Sequence, residues 1–395
     1  MDKEQRVLIL VLGCLAAVGP MSIDLYLPAF PLMEEEFATN SAAVSNTMAS
    51  YFVGIAVGQM IYGPVSDSYG RRGPLLLGLC LYLVGSMLCA AATTIDYLIA
   101  ARVIQALGGC AGMVICRAVV RDLFAPAQMA RVFSALLLVM GIAPVLAPTV
   151  GAVIVDWQGW RPLFLMMAGF AILCLLGTLW KIPSTHSRVG TPLSLAGSFR
   201  TFGELMRHRG FLAYSVSSTF IRVGLFGYIT GSPFLYQDYF QMSAKTFGMV
   251  FGANATGFIV GSQVNSRLVE RFGHQRVYRG VLAFTLLGTL PLVVIGVIGS
   301  GPLWLTELCI FLFISSLGFS FPCATTGSLE EQPTRAGSAS ALMGLMGSTA
   351  AALTANAVGH LQLLTPVAMP ILVGGSCVLA WLSFTLIFRA RSASE

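Results

Sequence analysis

The sequence predicts an all-α integral membrane protein of twelve transmembrane helices, and three observations carry that prediction. Of its 395 residues, 56% are hydrophobic and only 10% charged, where soluble domains carry about 25% charged residues; the mean hydropathy is +0.80. Twelve separate runs each supply the roughly 20 mostly apolar residues that a bilayer crossing requires. Eighteen of the 23 Lys and Arg residues fall in loops and tails on one side of that tracing, against only Arg161 and Lys245 on the other.

In order, the runs lie at 7–27, 43–63, 73–93, 97–119, 130–154, 162–181, 211–233, 246–265, 277–298, 303–327, 337–360 and 367–388. No charged leader with a small-residue cleavage site precedes the first, so it is expected to stay as a helix. The polar stretch 182–210 carries Arg188, Arg200, Arg207 and Arg209. It is read as a cytoplasmic linker between an N-terminal half, 1–181, and a C-terminal half, 211–395. Basic residues accumulate on the cytoplasmic side of membrane proteins, which places both termini there. The three remaining basic residues, Arg102, Arg117 and Arg222, fall inside spans.

The halves repeat. Gly58 to Arg72 reads GQMIYGPVSDSYGRR and Gly261 to Gln275 reads GSQVNSRLVERFGHQ, a shift of 203 residues that sets Asp67 over Glu270 and Gly70 over Gly273. Two repeated halves that rock about a midplane site are a transporter arrangement.

Other classes are disfavoured. The nine cysteines lie in apolar runs without a C-x-x-C pair, and the four histidines are scattered. Neither pattern suggests a disulfide framework or a metal site. The net charge of +6 sits in short loops and does not indicate nucleic acid. With no Ser/His/Asp or metal-ligand grouping, no enzyme is expected, no cofactor and no metal. The driving force is expected to be the proton gradient, and the partners are protons, a small molecule and the bilayer. The chain is read as a monomer.

Asp24 is the leading functional candidate. It stands near the end of the first run, in PMSIDLYLP, and a carboxylate inside hydrocarbon costs roughly 2.5–3.5 kcal/mol. Such residues exchange protons or bind cargo. Arg102, in RVIQALGG on the fourth run, lies at a similar depth, so an ion pair or a shared water with Asp24 is expected. Gly63 to Arg72 (GPVSDSYGRR) forms the loop between runs two and three. Gly70 supplies a positive φ there, and Asp67, Arg71 and Asp122 are expected to cluster as a latch. In the fifth run, Gly141, Pro144, Pro148 and Gly151 combine close helix contact with proline bends.

These segments resemble motifs of the major facilitator superfamily. The loop matches motif A, G-x-L-x-D-x-x-G-R-(R/K), except for Val65. Arg102 to Gly108 resembles motif B, R-x-x-Q-G-x-G, with Ala106 for the first glycine. Gly141 to Ala152 resembles the antiporter motif, G-x(6)-G-P-x-x-G-G, with Ala147 and Ala152 replacing two glycines. Ser22 to Pro31 (SIDLYLPAFP), Gly58 to Pro64 and Gly231 to Tyr236 (GSPFLY) are similar to the bicyclomycin/chloramphenicol resistance (Bcr/CflA) branch of drug:proton antiporters. The resemblance implies the major facilitator fold, a place in a bacterial inner membrane, and export of small amphipathic, drug-like molecules by alternating access. It implies Asp24 as the proton carrier, acting without the additional acid that some relatives place where this chain has Ala16. The alternative is a proton-coupled uptake symporter of the same fold.

Tyr51, Gln59, Gln105, Tyr228, Tyr236, Asn254, Thr256 and Gln263 are polar or aromatic on helices expected to line the centre. Apolar walls with a few polar groups suit amphipathic cargo, and the same residues also suit ordinary bundle packing. Arg222 and Glu307 fit no motif. They could pair with each other, or Arg222 could face the cargo.

Overall fold

The structure, a computed structural model, describes residues 3–124, 126–183, 201–332, 335–365 and 367–392. All regular structure among these residues is helical. Twelve long helices follow the expected runs: α1 (Lys3–Asp24), α2 (Ser41–Tyr69), α3 (Arg72–Ala90), α4 (Ile95–Leu123), α5 (Pro126–Gln158), α6 (Arg161–Lys181), α7 (Arg209–Pro233), α8 (Ala244–Phe272), α9 (His274–Ile298), α10 (Leu303–Glu330), α11 (Ala336–Gln362) and α12 (Ala368–Ser392).

Local chemistry sets the boundaries. The Asn40 side chain accepts the Ala43 N–H at 3.1 Å and starts α2; Thr94 does the same for Tyr97 at 3.3 Å and starts α4. Such caps satisfy amides that the first turn leaves orphaned. Gly70 ends α2 at φ 83, ψ 167, and Gly273 precedes α9 at φ 78, ψ 150. Both angles lie in a region that is essentially glycine-only. The repeat read in the sequence is thus also a repeat of backbone conformation.

One element differs from the expected span. The run 7–27 does not form one uninterrupted helix: α1 stops at Asp24, a 3₁₀ turn follows at Leu27–Ala29, and a short helix runs Phe30–Glu36. Pro28 and Pro31 stand in the first turns of these pieces, where a residue without an N–H is tolerated. Nine helices among the described residues are long and apolar enough to cross a membrane. Within α5 the described residues give an apolar stretch at Ile142–Gln158, while α7 and α8 fall short of that threshold. Ser215, Ser217, Ser218, Thr219 and Arg222 dilute α7, and Asn254, Ser262, Gln263 and Asn265 dilute α8.

The chain forms two compact units, one of Met1–Leu193 with Ser243–Gly252, the other of Ser194–Met242 with Ala253–Glu395. The start of α8 therefore belongs with the first unit. In that unit α4 packs on α1, α2 and α3, and α1 packs on α5. In the second unit α7 packs on α10, α11 and α12, and α9 on α10 and α12. Most of the polar linker, 184–200, lies outside the described residues.

Candidate functional site

Asp24 is 4% exposed and is the last residue of α1. No hydrogen bond or ion pair reaches its carboxylate among the described residues. A helix C-terminus is the negative end of the macrodipole, so a carboxylate charge is ill placed there as well as desolvated. The turn beyond it is packed tightly against α5: a Cβ on Gly151 would overlap the Leu25 carbonyl oxygen. The antiporter-like segment therefore packs against the turn that carries Asp24. Pro148 is buried and Pro144 half-buried within a helix that runs through both. The surroundings of Gly141 lie outside the described residues. On the same helix, the Thr149 hydroxyl donates to the Gly248 carbonyl at 3.2 Å, holding the start of α8.

The expected ion pair between Asp24 and Arg102 does not form. Arg102 is fully buried. Its Nη1 donates to Gln105 Oε1 at 2.6 Å and its Nη2 to the Ser22 carbonyl at 3.1 Å. Its guanidinium carbon lies 4.3 Å from the Tyr26 ring centroid and 4.2 Å from that of Tyr51. Ser22 and Tyr26 are one turn apart, and at 100° per residue Asp24 lies about 200° from Ser22. The guanidinium thus occupies the far side of the turn from the carboxylate. No carboxylate pairs with Arg102 among the described residues, and its Nε has no acceptor.

A polar chain continues from this cage. The Ser22 hydroxyl bonds to Tyr82 Oη at 2.6 Å, and Gln105 Nε2 donates to Ser86 Oγ at 2.9 Å. Tyr51 and Gln105, expected as cavity residues, instead hold Arg102. Gln59 is half-buried on α2, while Thr256 and Gln263 are exposed on α8. At the far end of this unit, Glu36 accepts from Trp160 Nε1 at 2.6 Å and pairs with Arg161, tying the short helix to α6.

Gly63 to Tyr69, expected as a loop, are the last turns of α2, and Arg71 just beyond them meets two carboxylates. Arg71, 3% exposed, contacts Asp67 at 2.5 Å and Asp122 at 2.8 Å, and donates to Ser66 Oγ at 3.0 Å. Burial alone pulls the guanidinium pKa down, but the hydrogen bonds and charges of Asp122 and Asp67 outweigh it and hold the pKa above its ordinary value.

The second unit holds a separate cluster. Tyr236 donates to the Glu307 carboxylate, and Asn254 Nδ2 donates to Tyr228 Oη at 3.3 Å. Arg222 lies elsewhere, 5.0 Å from the Phe321 ring centroid and against Gly347. Fourteen residues separate it from Tyr236, about 21 Å of helix, so it does not pair with Glu307. Tyr228, Tyr236 and Asn254 were expected at the centre and Glu307 fitted no motif; that the four belong to one cluster was not foreseen, because the expected partner of Glu307 was Arg222.

The profile of the Major Facilitator Superfamily matches residues 12–355. The chain belongs to that superfamily. It is a multi-pass membrane transporter and not an enzyme. The transporter is 35% identical over 350 residues to the MFS-type transporter YdgK of Bacillus subtilis, covering 87% of this chain and 86% of that one. It is 28% identical over 384 residues to a bicyclomycin resistance protein homolog of Haemophilus influenzae (97% and 96% covered). It is also 28% identical over 397 residues to multidrug resistance protein D of Escherichia coli (97% of each). A crystal structure of a mutant of the nucleoside transporter NupG superposes with a TM-score of 0.77 at 14% identity, covering 96% of this chain and 100% of that one. That likeness speaks to the fold alone.

Proposed function

We propose that this transporter is a proton-coupled exporter of small amphipathic molecules or antibiotics, working by alternating access with Asp24 as the proton carrier. The observation that carries the reading is a buried carboxylate at the end of α1 with no bonded partner among the described residues. Protonation removes a charge that both the hydrocarbon and the helix C-terminus disfavour. A proton taken up from outside therefore favours burying the α1 turn, and its release inside restores the charged form for the next cargo. Each proton re-entering down 100 mV supplies about 2.3 kcal/mol, with the pH difference in addition. No cofactor is needed.

Arg102 supports this as a positioning residue. Its bond to the Ser22 carbonyl fixes the turn that presents Asp24, and Gly151 closes on the same turn from α5. The names of the similar proteins, a bicyclomycin resistance homolog, multidrug resistance protein D and a chloramphenicol resistance protein of Pseudomonas aeruginosa, favour drug-like cargo. The positive-inside count favours cytoplasmic termini in a bacterial inner membrane. Ala147 and Ala152, which depart from the antiporter motif, keep uptake symport as the second reading.

Energised everted vesicles separate the two. Chloramphenicol added outside should draw protons out of the lumen in exchange, partly dissipating an acid-inside gradient read by a quenched amine dye. The vesicles should also accumulate labelled chloramphenicol. Gradient-driven extrusion of preloaded chloramphenicol from such vesicles would instead establish symport.

A further inference from the structure

We propose that a recess between one end of α9 and the end of α12 is a binding site for an anionic phospholipid headgroup, with its phosphate held by Arg279 and Arg389. The recess is lined by Arg279, Leu282, Trp381, Phe384, Phe388 and Arg389, with Thr385 adding a hydroxyl. Its volume is about 240 Å³, some eight water volumes at roughly 30 Å³ each. That suits a glycerol-phosphate headgroup and is below the roughly 300–1,000 Å³ of a drug-sized site, which sets it apart from cargo binding.

The charge is the deciding feature. Both arginines are exposed, and no carboxylate pairs with either among the described residues. The guanidinium of Arg279 lies 4.4 Å from the Phe388 ring centroid, so one face is covered by an aromatic ring while its N–H edge stays available to a planar or tetrahedral oxyanion. Phe388 is held in turn by Phe384 at 5.4 Å, and Phe384 by Tyr278 at 5.0 Å. The floor of the recess is therefore a fixed aromatic stack.

The position matches a lipid. The two helices are packed neighbours that run in opposite directions: Arg279 near the start of α9 meets Phe388 near the end of α12, and Gly296 near the end of α9 meets Ile371 near the start of α12. Arg279 is five residues into α9 and Arg389 three residues short of the end of α12, which puts them about 7 Å and 5 Å from the helix ends. Trp381 is eight residues deeper than Arg389, about 12 Å along α12. Basic side chains at the headgroup level with an aromatic residue below follow the layering of a bilayer interface. Basic pockets between transmembrane helices take anionic headgroups in this way. A soluble anion would use the arginines and leave the apolar wall of Leu282, Trp381 and Phe384 without a role.

The test is native mass spectrometry of the full chain purified in detergent, titrated with phosphatidylglycerol or phosphatidylcholine. The wild type should bind phosphatidylglycerol in preference. Each arginine near the surface contributes about fivefold, so R279Q/R389Q should weaken phosphatidylglycerol binding about 30-fold. R279K/R389K should retain most of the binding, and R276Q, on the same helix but outside this recess, should change it less than twofold. Should the glutamine pair not fold, R279Q and R389Q singly carry the test at about fivefold each. Wild-type affinity in the glutamine variants would overturn the proposal, as would equal binding of phosphatidylcholine or an equal loss in R276Q. Full displacement of the lipid by millimolar inorganic phosphate would also overturn it, assigning the recess to a small soluble anion.

Discussion

Arg71 and Arg102 are both almost wholly buried, at 3% and 0% exposure, yet they are compensated in opposite ways. Arg71 sits between two carboxylates, Asp67 and Asp122. Among the described residues Arg102 has none: two tyrosine rings, a glutamine oxygen and a backbone carbonyl surround it. The first is an electrostatic clamp, which can open when its partners separate because each charge then regains water. The second is a cation that no other charge is bonded to, locked by geometry. Desolvated cation–π contacts are worth about 2 kcal/mol, and the Arg fork adds two directed hydrogen bonds. The same side chain is held once between two charges and once among neutral groups.

The largest effect is expected at Arg102. Arg102→Ala leaves Gln105 Oε1 and the Ser22 carbonyl without their donor, at about 1–3 kcal/mol for each buried group, and empties the space between Tyr26 and Tyr51. Transport should be lost and the thermal midpoint should fall by several degrees. Arg102→Lys keeps the charge but loses the fork and the stacking, so it should not restore transport. Full activity in the lysine variant would show that charge alone matters and would dissolve the distinction from Arg71.

A smaller effect is expected at Gly70. Its φ of 83 and ψ of 167 exclude a Cβ at a cost of about 1–3 kcal/mol, so Gly70→Ala should lower stability by that amount, as chemical unfolding would measure. Gly273→Ala should act alike in the second repeat. A neutral result at both would mean that the turns relax freely, and the latch would then lack a rigid hinge.

Asp67 should show the smallest stability effect. It is 58% exposed, and pairs of that kind are worth about 0–1 kcal/mol. Asp67→Asn should leave the thermal midpoint nearly unchanged and the affinity for chloramphenicol within about twofold, while turnover falls severalfold. Wild-type turnover would refute the latch.

Most of the parts legible in the sequence are local, the exception being the reach of Arg71 to Asp122 across 51 residues. Apolar runs of about 20 residues located the long helices, because bilayer thickness fixes span length regardless of what each helix touches. The Asp67–Arg71 pair is four residues apart across one turn, and Gly70 declares the conformation of that turn. The cage around Arg102 was not legible. It draws Tyr26, Tyr51 and Gln105 from three segments, and hydropathy does not say which helix faces meet. Depth alone suggested a pair with Asp24, while helix rotation put the two side chains on different sides of one turn. The Tyr236–Glu307 bond, 71 residues apart, was hidden for the same reason. The break after Asp24 was written in Pro28 and Pro31, but a window scored for apolarity reads across it.

The central claim is that Asp24 carries the proton. It is tested most directly by measuring protons released when chloramphenicol is added to purified protein in weakly buffered detergent solution near pH 7. Wild-type protein should release protons as cargo binds. Asp24→Asn, close in size and unable to exchange a proton, should bind the drug and release none. Proton release of wild-type amplitude from Asp24→Asn would contradict the account and remove this residue from the coupling mechanism.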